Sequence, residues 1–175
     1  MQKPDATAIL EFCSFDADQD GYPDPNEDGQ LIIRQGYECA CPEGMSRIQE
    51  SRTTQADCDP SNKDVNPGIT AYSPVAYCPG INELADSFVI TGRGRFFVCS
   101  DASVTPSFDF NCDGVAKIQN TTVNGGECGA LCRPSGWRES VPGCGQDGDY
   151  LSCRVRGSDR VCTSSVTLGR TSGCR

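Results

Sequence analysis

Thirteen cysteines in a 175-residue chain without a single histidine constrain the fold more than any other feature. Thiols at this density point either to metal clusters or to disulfides formed in an oxidising compartment. Zinc needs Cys or His pairs at ligand spacing. The close pairs here, Cys39-Ala-Cys41 and Cys128-x-x-x-Cys132, have no second pair at finger-like spacing. Disulfides are therefore the expected state, and with them a secreted or surface location. The missing histidine also excludes Ser–His and Cys–His catalysis, haem attachment and imidazole copper sites. Met1 and Met45 are the two methionines, so a thioether copper site is equally unsupported. Metal chemistry in this chain has to be oxygen chemistry.

Charge is placed unevenly. Residues 1–119 hold 19 acidic and 8 basic side chains, whereas residues 120–175 hold 5 acidic and 7 basic ones, all of the latter arginine. An acidic chain repels phosphate backbones, so nucleic acid is not an expected partner. The charge shift and the polar stretch Gln119–Gly126 predict an acidic domain over 1–119 and a cysteine-rich module over 120–175. The module's six cysteines (Cys128, Cys132, Cys144, Cys153, Cys162, Cys174) are an even set able to close on itself; the other seven leave one over. Spacing alone assigns no bridge. No segment approaches the roughly 18 apolar residues of a membrane span. The start, Met1-Gln-Lys-Pro-Asp, has no apolar core of a signal peptide, so a secreted form is expected to have had its signal removed.

Apolar runs are short, rich in β-branched and aromatic residues and bounded by turn residues, which predicts strands. They are Ala8–Phe12, Leu31–Ile33, Phe88–Ile90, Arg95–Val98, Tyr150–Val155 and Val161–Leu168. Two hairpins are expected, one across Thr91-Gly92-Arg93-Gly94 and one across Gly157-Ser158-Asp159. Helical periodicity is weak; Met45–Gln55 is predicted to form two or three turns and Asn82–Asp86 one. The fold class expected is mostly β and irregular: a small, disulfide-rich, calcium-stabilised domain or pair of domains with little helix.

The strongest motif is Asp16-Ala-Asp18-Gln-Asp20-Gly21-Tyr22-Pro-Asp24-Pro-Asn-Glu27. It meets the twelve-residue calcium-loop pattern at positions 1, 3, 5, 6, 9 and 12. Alternate carboxylates on a curling loop point inward, and Gly21 permits the bend around the ion. Tyr22 would offer its carbonyl, Asp24 would bind directly or through water, and Glu27 would close the shell. Ca²⁺ suits this donor set better than Mg²⁺, which keeps several waters. Pro23 and Pro25 oppose an exiting helix, so the loop is expected without the helix pair of calcium sensors. A second loop, Asp109-Phe-Asn111-Cys-Asp113-Gly114, repeats the spacing but has Lys117 at position 9 and Asn120 at position 12. A cation there needs ligands from elsewhere, which Asp57-Cys58-Asp59-x-x-Asn62 could lend to either loop.

Taken in order, Asp16-x-Asp18-x-Asp20-Gly21-Tyr22, Ala56-Asp57-Cys58-Asp59-x-x-Asn62-x-x-Val65-Asn66-Pro67-Gly68 and Phe108-Asp109-Phe110-Asn111-Cys112-Asp113-Gly114 resemble the MopE-type metal-binding repeat of secreted bacterial proteins. That repeat is itself similar to thrombospondin type 3 calcium repeats. The resemblance covers about residues 13–115. It implies an extracellular location, calcium in acidic loops, and Asp57, Asp59 and Asn62 as long-range ligands. The copper activity attached to the family name does not carry over to a chain without histidine.

In residues 120–175 the Trp and Cys-Gly spacing of thrombospondin type 1 modules is absent. Trp137 is instead expected at the core of a disulfide knot, with the arginines solvated. Asn120-Thr-Thr122 is a glycosylation sequon. No nucleophile elbow, phosphate loop or triad occurs, and every clustered carboxylate reads as a cation ligand, so an enzyme is not expected. The function expected is a structural or adhesive extracellular module. Its partners would be calcium ions together with further copies of itself, as in a filament, or an extracellular surface. The alternative is a soluble, calcium-dependent carbohydrate-binding module.

Overall fold

Runs this short cannot build a deep core, and in the computed structural model they become short strands tied by disulfides. The structure describes residues 10–26, 28–37, 41–85, 87–91, 94–129, 132–156 and 161–175. Twelve cysteines form six bridges: Cys13–Cys41, Cys58–Cys112, Cys78–Cys99, Cys128–Cys162, Cys132–Cys153 and Cys144–Cys174. The six cysteines beyond residue 120 thus pair among themselves. Cys39 lies outside the described residues. Among the described residues the helical content is a single 3-10 turn, Glu50–Arg52. The chain is mostly strand and irregular, as expected of a small disulfide-rich fold.

The chain divides into two compact units. The first comprises residues up to Ile69 with Gly80–Asn82 and Phe110–Asp113; the second comprises Thr70–Pro79, Glu83–Asp109 and Gly114–Arg175. In the first unit β1 (Leu10–Ser14) is the central strand between β2 (Arg34–Tyr37) and β3 (Ser46–Ile48), all antiparallel. Phe12 stands opposite both Gln35 and Ile48. Among the described residues the buried apolar side chains of this unit are few: Cys13, Tyr22, Pro23, Ile48, Val65 and Phe110. Ser14, Asp16, Asp57, Asp59, Asn62 and Asn66 are buried beside them. The interior of the first unit is therefore as polar as it is apolar. Such an interior is stable only if its polar atoms find partners.

The second unit holds the remaining strands. β4 (Tyr77–Cys78) pairs with β5 (Glu83–Leu84), and β6 (Ser87–Thr91) with β7 (Gly94–Val98). β8 (Gly136–Trp137) and β10 (Val161–Thr171) flank β9 (Asp147–Arg156). Ala76, Cys78 and Ala85 make a small core with Phe97, Cys99, Val104 and Phe108 packed on it. A second centre is aromatic. Trp137 is 2% exposed, meets Tyr150 edge-on at 5.0 Å, and donates its indole N–H to the Asn120 carbonyl at 2.7 Å. The Asn120 amide donates to the Tyr150 hydroxyl while its oxygen accepts the Thr122 amide, so the sequon asparagine is already spent on this packing.

Several expectations need correction. Met45–Gln55 is not helical: Ser46–Ile48 pairs with β1, and only Glu50–Arg52 makes a 3-10 turn. The tertiary gain decides it, because Ile48 buries itself against β1 whereas no 3.6-residue apolar face exists to reward a helix. Asn82–Asp86 contains β5 rather than a helical turn, since Asn82 sits at φ +46° and ends any right-handed run; Asp86 lies outside the described residues. Leu31–Ile33 is not a strand; the strand begins at Arg34, and Leu31 makes an isolated bridge to Pro25, which has no amide to extend a ladder. Both expected strand pairs form, although Gly92, Arg93 and 157–160 lie outside the described residues, as do Ala8 and Ile9. The C-terminal arginines are not all free in solvent: Arg170 lies 3.9 Å over the Tyr150 ring and Arg138 pairs with Asp149 at 3.2 Å.

Candidate metal centre

The acidic loop follows β1 directly, and its own carboxylates fold it. The Asp20 and Gly21 amides donate to the two Asp16 oxygens, each at 3.1 Å. The Asp20 amide also approaches Asp18 at 3.2 Å, and the Tyr22 amide donates to Asp20 at 2.7 Å. Across the loop the Ala17 amide donates to Asp24 at 3.0 Å, and the Asp24 amide to the Phe15 carbonyl at 2.9 Å. Gln19 and Gly21 lie at φ +64° and +86°, the two left-handed residues that let the chain curl. Among the described residues no helix follows: Pro23 is buried and Pro25 bridges to Leu31. Carboxylate oxygens of Asp16, Asp18 and Asp20 come within 4.8 Å of one another.

A second segment closes the site. The Asp57 amide donates to the Pro23 carbonyl at 3.0 Å, which fixes Asp57 beside the loop with its side chain fully buried. The Asp59 amide then donates to one Asp57 oxygen at 3.0 Å. Downstream, the Asp64 amide donates to Asn62 at 3.2 Å and the Gly68 amide to Asn66 at 2.9 Å, a succession of side-chain-to-backbone turns. Gly68 has no alternative at its position, because a Cβ there would overlap the Tyr22 hydroxyl. The disulfide Cys58–Cys112 ties this segment to the second loop, with an Asp57 oxygen within 4.8 Å of both sulfurs.

Hydrogen bonds leave a specific remainder. Among the described residues, the buried side-chain oxygens without a partner include Asp18 Oδ2, Asp20 Oδ2, Asp24 Oδ1 and Asp57 Oδ2. Orphaned buried polar atoms are rare, and a set of carboxylate oxygens gathered around one loop is the pattern left by cation ligands. Burial raises all four carboxyl groups above their ordinary value, and their neighbours add to it. Asp20 is pushed up to about 6, chiefly by desolvation and then by Asp18 and Asp16. Asp57 is pushed up to about 7, again by desolvation and then by Asp20, Asp18 and Asp24. Asp24 feels Asp16 and Asp18, and Asp18 feels Asp16 and Asp59, after burial in each case. The four groups thus press on one another across a common space. Asp16, Asp18 and Asp20 form a group that could hold a metal ion.

The other candidate residues separate into distinct roles. Asp59 is buried, but its oxygens take the Gly80 amide at 3.2 Å and the Ser61 hydroxyl at 2.7 Å. Glu27 lies outside the described residues. The second loop copies the backbone of the first: Cys112 and Gly114 lie at φ +56° and +81°, at the places of Gln19 and Gly21. The Gly114 amide donates to Asp109 at 2.8 Å, as Gly21 does to Asp16. Asn111 donates to Asp113 at 2.9 Å, and its own oxygen is buried without a partner. Asp113 is exposed. The residue that sequence reasoning missed is Arg52. Its guanidinium lies 4.3 Å over the Tyr22 ring and donates to the Asp20 carbonyl at 3.2 Å. Thirty-two positions separate Arg52 from Asp20, and no spacing rule connects them.

Against protein-family models, curated proteins and solved structures, the chain gives no match.

Proposed function

We propose that this chain is a calcium-stabilised extracellular structural module that associates with itself. The observation that carries the metal reading is the set of partnerless buried oxygens on Asp18, Asp20, Asp24 and Asp57. Asp16, Asp18, Asp20, Asp24 and Asp57 would hold the ion, with the Tyr22 carbonyl as a neutral donor. Calcium is preferred because all the side-chain donors are hard oxygens and the loop spacing matches its larger, more flexible shell. When bound, the ion offsets the repulsion among carboxylates that the fold has buried. The resemblance to MopE-type repeats supports the same reading, as does Asp57, which the resemblance had implied as a long-range ligand. Six disulfides and an interior with few apolar side chains fit a module held by cross-links and an ion rather than by a large core. Among the described residues no helix is long and apolar enough to cross a membrane.

A thermal melt of non-reduced protein with calcium and with chelator tests the proposal. At 100 times its Kd the ion should add about 2.7 kcal/mol, which for a chain of this size raises Tm by about 5–10 °C. Coincident melts in calcium and chelator would refute the structural-calcium reading.

A further inference from the structure

We propose that Cys128, Cys132, Cys153 and Cys162 become a tetrathiolate zinc site when their two disulfides are reduced. The site lies within residues 120–175 and uses sulfur where the acidic loop uses oxygen. It does not rest on the calcium reading.

The sequence offers Cys128-x-x-x-Cys132 as one close pair and no second pair at finger-like spacing. Strand pairing supplies the second. In the β9–β10 register Cys153 stands opposite Ser164 and Cys162 opposite Val155, so Cys153 and Cys162 are diagonal neighbours on one face of the ribbon. Cys128 and Cys132 face each other across an antiparallel bridge, and the disulfides Cys128–Cys162 and Cys132–Cys153 join the two pairs. The two disulfides lie against each other. Cys128 Sγ is 3.7 Å from Cys153 Sγ, Cys132 Sγ is 3.4 Å from Cys162 Sγ, and Cys153 Sγ is 2.9 Å from Cys162 Sγ. Four sulfurs each about 2.3 Å from a tetrahedral zinc stand about 3.8 Å from one another. Sulfurs that are not bonded to each other are thus already close to ligand spacing, and opening the two bonds is the main change required. Among the described residues, the other cysteine-containing groups able to take a metal are Asp57 with Cys58 and Cys112, and Glu83 with Cys78 and Cys99. Each of these combines one disulfide with one carboxylate; two disulfides meet at the β9–β10 cluster.

The cluster is also open to reagents. Cys128 is exposed and the other three are half-buried, whereas Cys78 and Cys174 are fully buried. A reductant therefore reaches these two bridges before Cys78–Cys99 and Cys144–Cys174. The reductant is a dithiol: each of two dithiol molecules is oxidised to its disulfide and passes two electrons and two protons to one bridge, which leaves four thiols. Zinc then displaces one proton from each thiol, and the four protons go to solvent. The resulting centre, four thiolates on one Zn²⁺, carries a charge of about −2. It sits in the segment with 5 acidic and 7 basic residues, where Arg133 and Arg154 directly follow Cys132 and Cys153. Cationic surroundings favour the thiolate over the thiol, and thiolate ligands select zinc over the hard cations that suit carboxylates. The same four sulfurs thus have an oxidised state that binds no metal and a reduced state that does.

The experiment uses Co²⁺ as a spectroscopic stand-in for zinc, on the full chain before and after a limiting dose of a tertiary phosphine. The phosphine leaves as its oxide, taking oxygen from water, whose two protons go to the freed sulfurs. Reduced protein should bind one Co²⁺ with sulfur-to-metal charge-transfer bands that zinc abolishes, and non-reduced protein should show no such bands. On reduced wild type, zinc should spare Cys128, Cys132, Cys153 and Cys162 from alkylation and leave Cys58 and Cys112 reactive. Because that map is read on wild type, it does not depend on any variant folding. Cys128→Ser with Cys162→Ser should lose the bands, while Cys58→Ser with Cys112→Ser, which also removes one bridge, should keep them. Reduced wild type without the bands would overturn the proposal. So would zinc protection that is absent from these four cysteines or spread evenly over all of them.

Discussion

Replacing Asp57 by asparagine should stabilise the chain in chelator and lose that advantage in calcium. Asp57→Asn keeps an oxygen for the Asp59 amide, which donates to Asp57 Oδ1 at 3.0 Å, and removes the charge at the partnerless Oδ2. The rise of its carboxyl from 3.8 to about 7 corresponds to about 4 kcal/mol between the two protonation states. At pH 7.5, above that value, nearly all of this cost is present, but the new side-chain amide is itself buried without a partner, which takes back about 1–3 kcal/mol. In chelator at pH 7.5 the variant should therefore be more stable than wild type by ~1–2 kcal/mol, or about 3–6 °C in Tm. In calcium that advantage should be lost. Loss of one charged ligand should weaken binding at least about tenfold, worth about 1.4 kcal/mol, and the variant should gain less from the ion than wild type. Differential scanning calorimetry of both proteins in both conditions reads all four values. A variant destabilised equally in chelator and calcium would refute the reasoning, because Asp57 would then act only as a structural hydrogen-bond acceptor.

The same carboxyls predict a pH profile. Their folded values lie above the ordinary 3.8, to about 6 for Asp20 and about 7 for Asp57, so the folded chain binds more protons than the unfolded one. Their contribution is then full below about pH 4 and is lost as pH rises towards 7. Tm in chelator should fall from pH 4.5 to 7.5, and the gain on adding calcium should grow over that interval; a Tm in chelator that rises over it would contradict the site. Gly126→Ala should cost at least about 2 kcal/mol in a denaturant melt, since Gly126 is buried at φ +66° and its Cβ would overlap the Leu151 backbone. Gly29→Ala, at φ +73° with nothing within 4 Å, should cost only about 1–2 kcal/mol, and equal losses at the two sites would show that packing at Gly126 is not what matters.

The parts of the fold legible in the sequence are those with local signals. Phe88–Ile90 and Arg95–Val98 flank a glycine-containing turn, and they pair as expected. The acidic loop carries its own instructions too, because Asp16 and Asp20 bind amides within five residues. What could not be read is set by distance. β3 forms because Ile48 finds Phe12, more than thirty positions away, and a reader of Met45–Gln55 alone sees a weak helix. β8 is two residues long, with Trp137 held by Tyr150 and Asn120. Arg52 gives no hint that it will stack on Tyr22. The resemblance to known repeats implied Asp57, Asp59 and Asn62 alike as ligands; that Asp59 would spend its oxygens on Gly80 and Ser61 depends on turns that no motif encodes.

The central claim is that the oxygens of Asp18, Asp20, Asp24 and Asp57 enclose a cation. Isothermal titration of chelator-stripped, non-reduced protein with calcium at pH 7.5 tests it most directly. The account predicts saturable binding that is lost in Asp20→Ala and in acid near pH 4.5, where Asp20 and Asp57 are protonated. Absence of saturable binding at millimolar calcium, or binding unchanged in Asp20→Ala, would contradict it.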